Sequence, residues 1–231
     1  MRSSIVASLA LVTLLTATAG CALPHEKAYE AVDASRIGTL SGGYGLAPGN
    51  AAPDAEVLDS KGQAVTLSGV RSGRPALLVF YRGGWCPACN FQIHELSGQQ
   101  AEFRKRSVAV IAISVDNPDH AIVTAKEYAV PFDVLSDPDL HAHRAYRVID
   151  HVGGVTTFVI ARMGVDLERQ SGRTHHDVAV PSLFLIDGSG TIRWSHADPD
   201  YAKRPNVSQI LAAIDHSGIA PPVTTSAAAA P

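Results

Sequence analysis

Cysteine is scarce in this sequence, with three in 231 residues, at positions 21, 86 and 89. One Cys-x-x-Cys pair falls short of the four ligands that a structural zinc site takes. Positive charge is not in excess either, because the formal net charge is -3 and the basic residues are scattered. This argues against nucleic-acid binding, which usually needs a basic stripe. With 46% hydrophobic residues, the chain has enough apolar surface to form a buried core.

The apolar run at residues 5–19 is too short for a comfortable transmembrane helix but suits the core of a signal peptide. The segment "TATAGC" follows and resembles the bacterial lipoprotein signal, in which the cysteine, here Cys21, carries lipid. The alternative is cleavage after Ala19, which would leave Cys21 as an odd thiol in an exported protein. We favour lipidation. The prediction is a chain exported to the periplasm or cell envelope, with membrane contact through a lipid anchor.

The rest of the chain divides by composition. Residues 22–52 are rich in Gly, Pro and Ser and are predicted to be a flexible tether after the signal peptide of residues 1–21. Residues 53–217 form the predicted domain, and residues 218–231 a disordered tail. The domain is of ordinary size for one compact unit.

Strand and helix patterns alternate along this domain. A hairpin is predicted around Lys61-Gly62, and "PALLVFY" and "SVAVIAISV" are continuous apolar runs typical of strands buried on both faces. Residues 87–106 have helical periodicity, and "SLFLID" with "TIRWSH" predicts a second hairpin before a last helix. The expected fold class is α/β, with a mixed central sheet flanked by helices. Residues 149–180 fit the alternation least and are interpreted as an insertion.

Cys86 and Cys89 fall where a buried strand ends and a helix begins, the edge at which α/β sheets bind ligands. Pro87 suits the first helical position, which makes Cys86 the helix cap. Free backbone N–H groups and the helix dipole there would stabilise a Cys86 thiolate, and Arg82 could add positive charge. Cys89, one turn further on, could attack an oxidised Cys86.

Two other interpretations of the pair are weaker. Metal binding is disfavoured because the histidines offer no second ligand pair: His175 and His176 are adjacent, and His141 and His143 are two apart. A purely structural disulfide would close a loop of only a few residues, where the entropic stabilisation is least. Trp85 could be an ordinary core residue, or it could cover the thiol. No metal and no cofactor are expected.

Four segments together carry a family resemblance: "LLVFYRGGWCPACNFQIHEL", "VAVIAISVDNPD", "FDVLSDPD" and "VPSLFLIDGSGTIRWSHADPDY". They resemble the thioredoxin superfamily, and within it the alkyl hydroperoxide reductase and thiol-specific antioxidant proteins, the peroxiredoxin-like branch. The resemblance implies a thioredoxin-like fold, a nucleophile at Cys86 and a resolving cysteine at Cys89. It also implies that Pro181 is a cis-proline facing them, after the insertion, with the Val180 backbone open to an extended substrate.

The chain also departs from that family. Peroxiredoxins carry Pro-x-x-x-Thr/Ser-x-x-Cys, and counting back from Cys86 gives Gly83 for the hydroxyl and Val79 for the proline. The family's arginine before the "LFLID"-like strand is replaced by Pro181. We therefore favour thiol–disulfide exchange with protein thiols or disulfides as the reaction. The alternative is an antioxidant peroxidase that reduces hydrogen peroxide or organic hydroperoxides. Either enzyme would need a reductant such as a thioredoxin-like protein. A tethered peptide-binding module is a remote third hypothesis.

Overall fold

The computed structural model describes residues 30–31, 33 and 36–219. Within these residues the strands are β1 (Glu30–Ala31), β2 (Glu56–Leu58), β3 (Ala64–Thr66), β4 (Ala76–Phe80), β5 (Ala109–Ser114), β6 (Asp133–Ser136), β7 (Ile149–His151), β8 (Asp177–Ala179), β9 (Ser182–Ile186), β10 (Ile192–Ala197) and β11 (Lys203–Arg204). The helices are α1 (Leu67–Arg71), α2 (Pro87–Gly98), α3 (Gln100–Lys105), α4 (Pro118–Glu127), α5 (His141–Ala145), α6 (Gly154–Arg162), α7 (Leu167–Ser171) and α8 (Val207–His216). A short 3-10 helix lies at Ser41–Gly43.

Seven strands form the central sheet, in the order β10-β9-β4-β5-β6-β2-β3. β4, β5 and β6 run parallel, and the strands on both sides of them pair antiparallel. All five residues of β4 are buried, as expected for a parallel strand covered on both faces. The predicted α/β class with a mixed sheet is confirmed.

Two cores lie on opposite faces of this sheet. One contains both cysteines of the Cys-x-x-Cys pair with residues of α2 and α8, such as Ile93 and Ile210. The other is built around three aromatic side chains, Phe80, Tyr146 and Phe184, whose ring centroids lie 4.9 to 5.8 Å apart. The sheet therefore places the thiols inside an apolar layer rather than on the surface.

Both predicted hairpins are present. β2 and β3 pair antiparallel around Lys61-Gly62, and Gly62 has a positive φ of 73°, which favours glycine. β9 and β10 form the second hairpin. The helix predicted over residues 87–106 is broken: α2 ends at Gly98 and α3 begins at Gln100, with Gln99 between them in a non-helical conformation.

The predicted insertion at residues 149–180 is an ordered unit. β7 and β8 pair antiparallel as a two-stranded sheet, with Ile149 opposite Ala179 and His151 opposite Asp177. α6 and α7 connect the two strands. The segment thus lies between α5 and β9, the strand at which the chain re-enters the central sheet.

Part of the predicted tether is folded against the domain. The backbone N–H of Gly45 donates to the Arg147 carbonyl at 2.9 Å, and the Ile192 N–H donates to the Asn50 carbonyl at 2.9 Å. Ala51 forms a bridge with Thr191. β1 pairs in parallel with β11, so residues further upstream also contact the domain. The prediction of a flexible tether is therefore wrong for residues 36–52, because their backbone groups hydrogen-bond to the sheet.

Pro181 is not a cis-proline. The structure contains no cis peptide bond among the described residues, so this prediction is wrong. The chain passes directly from β8 into β9: the Val180 N–H donates to the Val148 carbonyl at 2.8 Å, and the Ser182 hydroxyl donates to the Val180 carbonyl at 2.8 Å. The Val180 backbone is therefore already paired and is not open to an extended substrate.

The predicted signal peptide, Cys21 and most of the predicted tail lie outside the described residues. None of the helices within the described ranges has the length and apolar character needed to cross a membrane.

Candidate active site

The thiol pair lies at the start of α2, beyond the carboxyl end of β4. Cys86 is the N-cap residue and Pro87 stands at the first helical position, as predicted. The Cys86 carbonyl accepts the backbone N–H groups of Cys89 and Asn90, each at 3.0 Å. Both cysteines are free, and Cys86 is 2% exposed while Cys89 is 0% exposed.

A buried guanidinium contacts the deeper sulfur. Arg204 of β11 is 1% exposed, and its Nη2 donates to Cys89 Sγ at 3.2 Å. Its Nη1 donates to Gln92 Oε1 at 2.8 Å, and its Nε donates to the Tyr201 carbonyl at 2.9 Å. No carboxylate pairs with Arg204 in the part of the chain that the structure describes. A buried cation without a counter-ion is unfavourable, so the geometry favours a thiolate at Cys89.

The acidities of the two thiols differ accordingly. Burial alone would raise the pKa of Cys89, but the hydrogen bond from the Cys86 thiol and the charge of Arg204 lower it to about 6. The pKa of Cys86 is raised, because its S–H donates to Cys89 and because the group is buried. The contact with Arg204 thus favours Cys89 as the place for a negative charge on the pair. That the helix cap favours a thiolate at Cys86 stays a prediction, and in this structure the cation lies against the other sulfur.

This assignment changes how the peroxiredoxin motif fits the chain. Counted back from Cys89 instead of Cys86, the motif's hydroxyl position falls on Cys86 and its proline position on Arg82. Cys86 thus stands at the hydroxyl position, and hydrogen bonding with its thiol lowers the pKa of Cys89. The arginine missing before β9 has a counterpart in Arg204, which reaches the sulfur from β11. In this register Cys86 and Arg204 take the places of the hydroxyl and the arginine, whereas the proline is replaced by Arg82.

Three side chains form a cation–π group beside the start of α2. The Arg82 guanidinium lies 5.3 Å from the ring centroid of Trp85 and 4.8 Å from that of Tyr201. Tyr201 is 51% exposed, whereas Arg82 and Trp85 are half-buried. The structure thus brings two predicted site residues, Arg82 and Trp85, into contact with each other. Cation–π contacts of this kind contribute about 0.5–1 kcal/mol at exposed sites, so this group is weakly held.

A tight loop joins β4 to the cap. The Gly84 N–H donates to Asp116 Oδ2 at 2.8 Å, and the Gly84 carbonyl accepts from Asn90 Nδ2 at 2.6 Å. A Cβ on Gly84 would lie 2.0 Å from Thr124 Oγ1. Only glycine fits at this position, and the two hydrogen bonds hold the loop that leads to Cys86.

The other predicted site residues are placed differently. Val180 and Pro181 are buried, and Val180 belongs to the core on the opposite face of the sheet from the cysteines. No cluster of three or more potential metal-ligating side chains occurs among the described residues. Sequence reasoning missed Arg204, Gln92 and Asp116. Of these, Asp116 could have been found from the sequence. It directly follows an apolar run typical of a buried strand, which places it at the same sheet edge as the cysteines.

Comparison with known proteins assigns the family. The model of the AhpC/TSA family matches residues 48–195, more than half of the chain. The chain belongs to the AhpC/TSA family. This AhpC/TSA protein is 33% identical to alkyl hydroperoxide reductase E of Mycobacterium tuberculosis over 122 residues, which cover 51% of this chain and 80% of that one. It is 27% identical to a peroxiredoxin of Thermoplasma volcanium over 172 residues, 72% of each chain.

Solved structures agree on the fold of this AhpC/TSA protein. The peroxidoxin BcpB of Mycobacterium tuberculosis superposes with a TM-score of 0.56 at 17% identity, over 73% of this chain and 96% of that one. A peroxiredoxin-like protein of Aquifex aeolicus gives a TM-score of 0.58 at 16% identity, over 75% and 88%. The predicted thioredoxin-like, peroxiredoxin-type fold is confirmed, and the chain is a peroxiredoxin-like thiol oxidoreductase.

Replacing Gly84 by alanine is expected to destabilise the protein by about 1–3 kcal/mol or more, because the new methyl group overlaps Thr124 Oγ1. The matched control is Gly98→Ala at the end of α2, where a Cβ meets nothing within 4 Å, and the change is expected to be neutral or slightly stabilising. Urea unfolding measures both. Equal losses of stability in the two variants would contradict the close packing at Gly84.

Replacing Arg204 by methionine is expected to raise the pKa of Cys89 by about 1–2 units, since a charge-assisted hydrogen bond to the thiolate is lost. The rate of alkylation by a small reagent, followed against pH, reports this midpoint. Arg193→Met, at a largely exposed arginine of β10, serves as the control and should leave the midpoint unchanged. An unshifted midpoint in Arg204→Met would show that the guanidinium does not stabilise the thiolate.

Proposed function

We propose that this protein is a thiol-dependent peroxidase that reduces hydrogen peroxide or organic hydroperoxides, with Cys89 as the attacking thiolate. The observation that carries the proposal is the contact of the buried Arg204 guanidinium with Cys89 Sγ at 3.2 Å. The relatives are named alkyl hydroperoxide reductase and peroxiredoxin, which supports peroxide as the substrate. This favours the alternative over the disulfide exchange that the sequence favours.

Burial of the pair also supports a small oxidant. Exchange with a protein disulfide requires the partner's sulfur to approach the attacking sulfur. Cys89 is 0% exposed and Cys86 2% exposed, and the Val180 backbone is already hydrogen-bonded to Val148. A peroxide needs far less space than a polypeptide. Within the described residues, the Val180 backbone is thus not free to pair with a peptide as the exchange hypothesis expects, which supports the peroxidase proposal.

The proposed reaction has two steps at the pair. The Cys89 thiolate attacks one peroxide oxygen, the O–O bond breaks, and Cys89 becomes a sulfenic acid while hydroxide or alkoxide leaves. The Cys86 thiol then condenses with the sulfenic acid, which forms the Cys86–Cys89 disulfide and releases water. Arg204 holds the attacking sulfur ionised and Gln92 holds Arg204. An external dithiol, for which a thioredoxin-like protein is suited, returns two electrons by exchange.

Single cysteine variants separate the two roles. Cys89→Ser is expected to lose the fast reaction with hydrogen peroxide, because no thiolate remains beside Arg204. Cys86→Ser keeps a donor hydroxyl and should still form the sulfenic acid, without turnover. Cys86→Ala removes the donor and should slow the first step by about tenfold or more. Stopped-flow tryptophan fluorescence and a sulfenic-acid trap follow these steps.

The outcomes discriminate between the functions. In one outcome, the wild type reacts with hydrogen peroxide no faster than free cysteine does and yet reduces an insulin disulfide rapidly. That result would contradict the peroxidase proposal and support thiol–disulfide exchange. If Cys89→Ser reacts with hydrogen peroxide at the wild-type rate, Cys86 is the nucleophile instead.

We further propose that the chain is exported and carries lipid on Cys21. The support is the sequence pattern of residues 1–21 alone. Mass spectrometry of the protein from bacterial membranes should find the chain starting at a lipid-modified Cys21. An unmodified N-terminus at Gly20 would contradict the lipid anchor, and a retained Met1 would contradict export.

A further inference from the structure

One buried acid near the thiols takes no part in the reaction described above. Asp116 follows β5 at the same sheet edge and is 0% exposed. Its Oδ2 accepts the Gly84 N–H at 2.8 Å, and the Asp116 N–H donates to the Ser114 hydroxyl at 3.3 Å. Its Oδ1 has no hydrogen-bond partner. A buried carboxylate in this setting would be costly, whereas a protonated carboxyl is tolerated.

The surroundings of Asp116 supply no compensating positive charge. A Cβ placed on Gly83 would lie 2.6 Å from Asp116 Oδ1 and 2.5 Å from Trp85 Nε1, so these two unpartnered buried atoms lie against the same glycine. The titratable groups that influence Asp116 are Tyr81 after β4 and Cys89 on α2. From α4, the neutral Thr124 lies beside Gly84. No salt bridge joins Asp116 to a basic side chain among the described residues.

The charges of Asp116 and Cys89 oppose each other. Burial raises the pKa of Asp116 to about 7, and the negative charge of Cys89 contributes to the rise. A second negative charge in this buried layer is therefore disfavoured while Cys89 is a thiolate. Arg204 contacts Cys89 Sγ, which favours the negative charge on the sulfur and therefore the proton on Asp116 in the reduced protein.

We propose that Asp116 is the internal proton store of the thiol pair, protonated while Cys89 is a thiolate and releasing its proton when the pair becomes a disulfide. The inference rests on the proposed peroxidase function for the use of that proton. Disulfide formation removes the negative charge from Cys89, and with it the repulsion that holds the proton on Asp116. The carboxyl group, which lies against the loop leading to Cys86, then ionises.

With a proton from Asp116, the oxidation of the pair by hydrogen peroxide needs no proton from the solvent. The Cys89 thiolate, the Cys86 thiol and one hydrogen peroxide give the disulfide, one water and one hydroxide, with two electrons passing from sulfur to oxygen. The proton from Asp116 converts that hydroxide into a second water. Without a protonated Asp116, the same reaction takes one proton from the medium.

Proton uptake during oxidation tests this assignment. The reduced full-length protein is mixed with one equivalent of hydrogen peroxide in weakly buffered solution, and an indicator dye counts protons taken up per disulfide formed. The measurement is repeated across the range that spans the pKa of Cys89, about 6, and of Asp116, about 7. Asp116→Asn should take up more protons than the wild type, with a difference that approaches one in this range. Asp119→Asn, at an exposed acid three residues away, is the control and should match the wild type.

A second readout uses the reduced protein alone. Removing the carboxylate should move the alkylation midpoint of Cys89 to lower pH in Asp116→Asn, because the ionised acid opposes the thiolate. Equal proton uptake in wild type and Asp116→Asn at every pH would overturn the proposal. If Asp116→Asn does not fold, the wild type alone decides. Uptake of a full proton per disulfide at every pH in the measured range would overturn the proposal.

The test also separates this proposal from the peroxidase assignment. A small-molecule disulfide can replace hydrogen peroxide as the oxidant. The number of protons that this oxidant consumes is the same for the wild type and for Asp116→Asn. The difference between wild type and Asp116→Asn should persist with either oxidant. A slow reaction with peroxide together with a preserved difference would refute the peroxidase and leave the proton store intact.

Discussion

The active site depends on one buried charge. Arg204 lies in an apolar layer with an amide, a backbone carbonyl and a thiol sulfur as partners, and the sulfur is the group among them that can become an anion. Such a cation would otherwise be costly to bury, so the fold itself favours the thiolate at Cys89. The neighbouring Cys86 keeps its proton because it donates to that thiolate. The thiolate that we propose at Cys89 is therefore favoured by a side chain more than a hundred residues away in sequence.

The sheet edge brings the remaining parts of the site together. β4 and β5 run parallel, so the residues that follow them, the Gly83-Gly84 loop and Asp116, meet at the same end of the sheet. Glycine at position 84 allows α4 to pack closely against the loop. The loop is thereby held from two sides, by Asp116 on its N–H and by Asn90 on its carbonyl. The thiol pair is positioned by backbone contacts that leave little freedom.

Sequence periodicity predicts the parallel core, both hairpins and the helix that begins at Pro87, because these depend on local patterns of apolar residues. It also locates Cys86 at the helix cap. It does not predict which sulfur is ionised, since Arg204 reaches Cys89 through a pairing of β11 that has no local signature. The same limit explains Pro181, whose peptide bond depends on how Val180 pairs with Val148. It also explains residues 36–52, whose glycines and prolines are compatible with both a linker and an edge segment packed against the sheet.

The pairing of β1 with β11 joins the amino-terminal region to the chemistry. Glu30 lies opposite Lys203 and Ala31 opposite Arg204, so the backbone next to the guanidinium is hydrogen-bonded to a strand that stands first in the chain. Arg36 adds an ion pair with Asp198 on the same connection. A purification tag, a fusion or a proteolytic cut near residue 30 therefore lies next to the strand that holds Arg204 against Cys89. A protein that starts at residue 48, where the family match begins, lacks both of these contacts with the segment that carries Arg204.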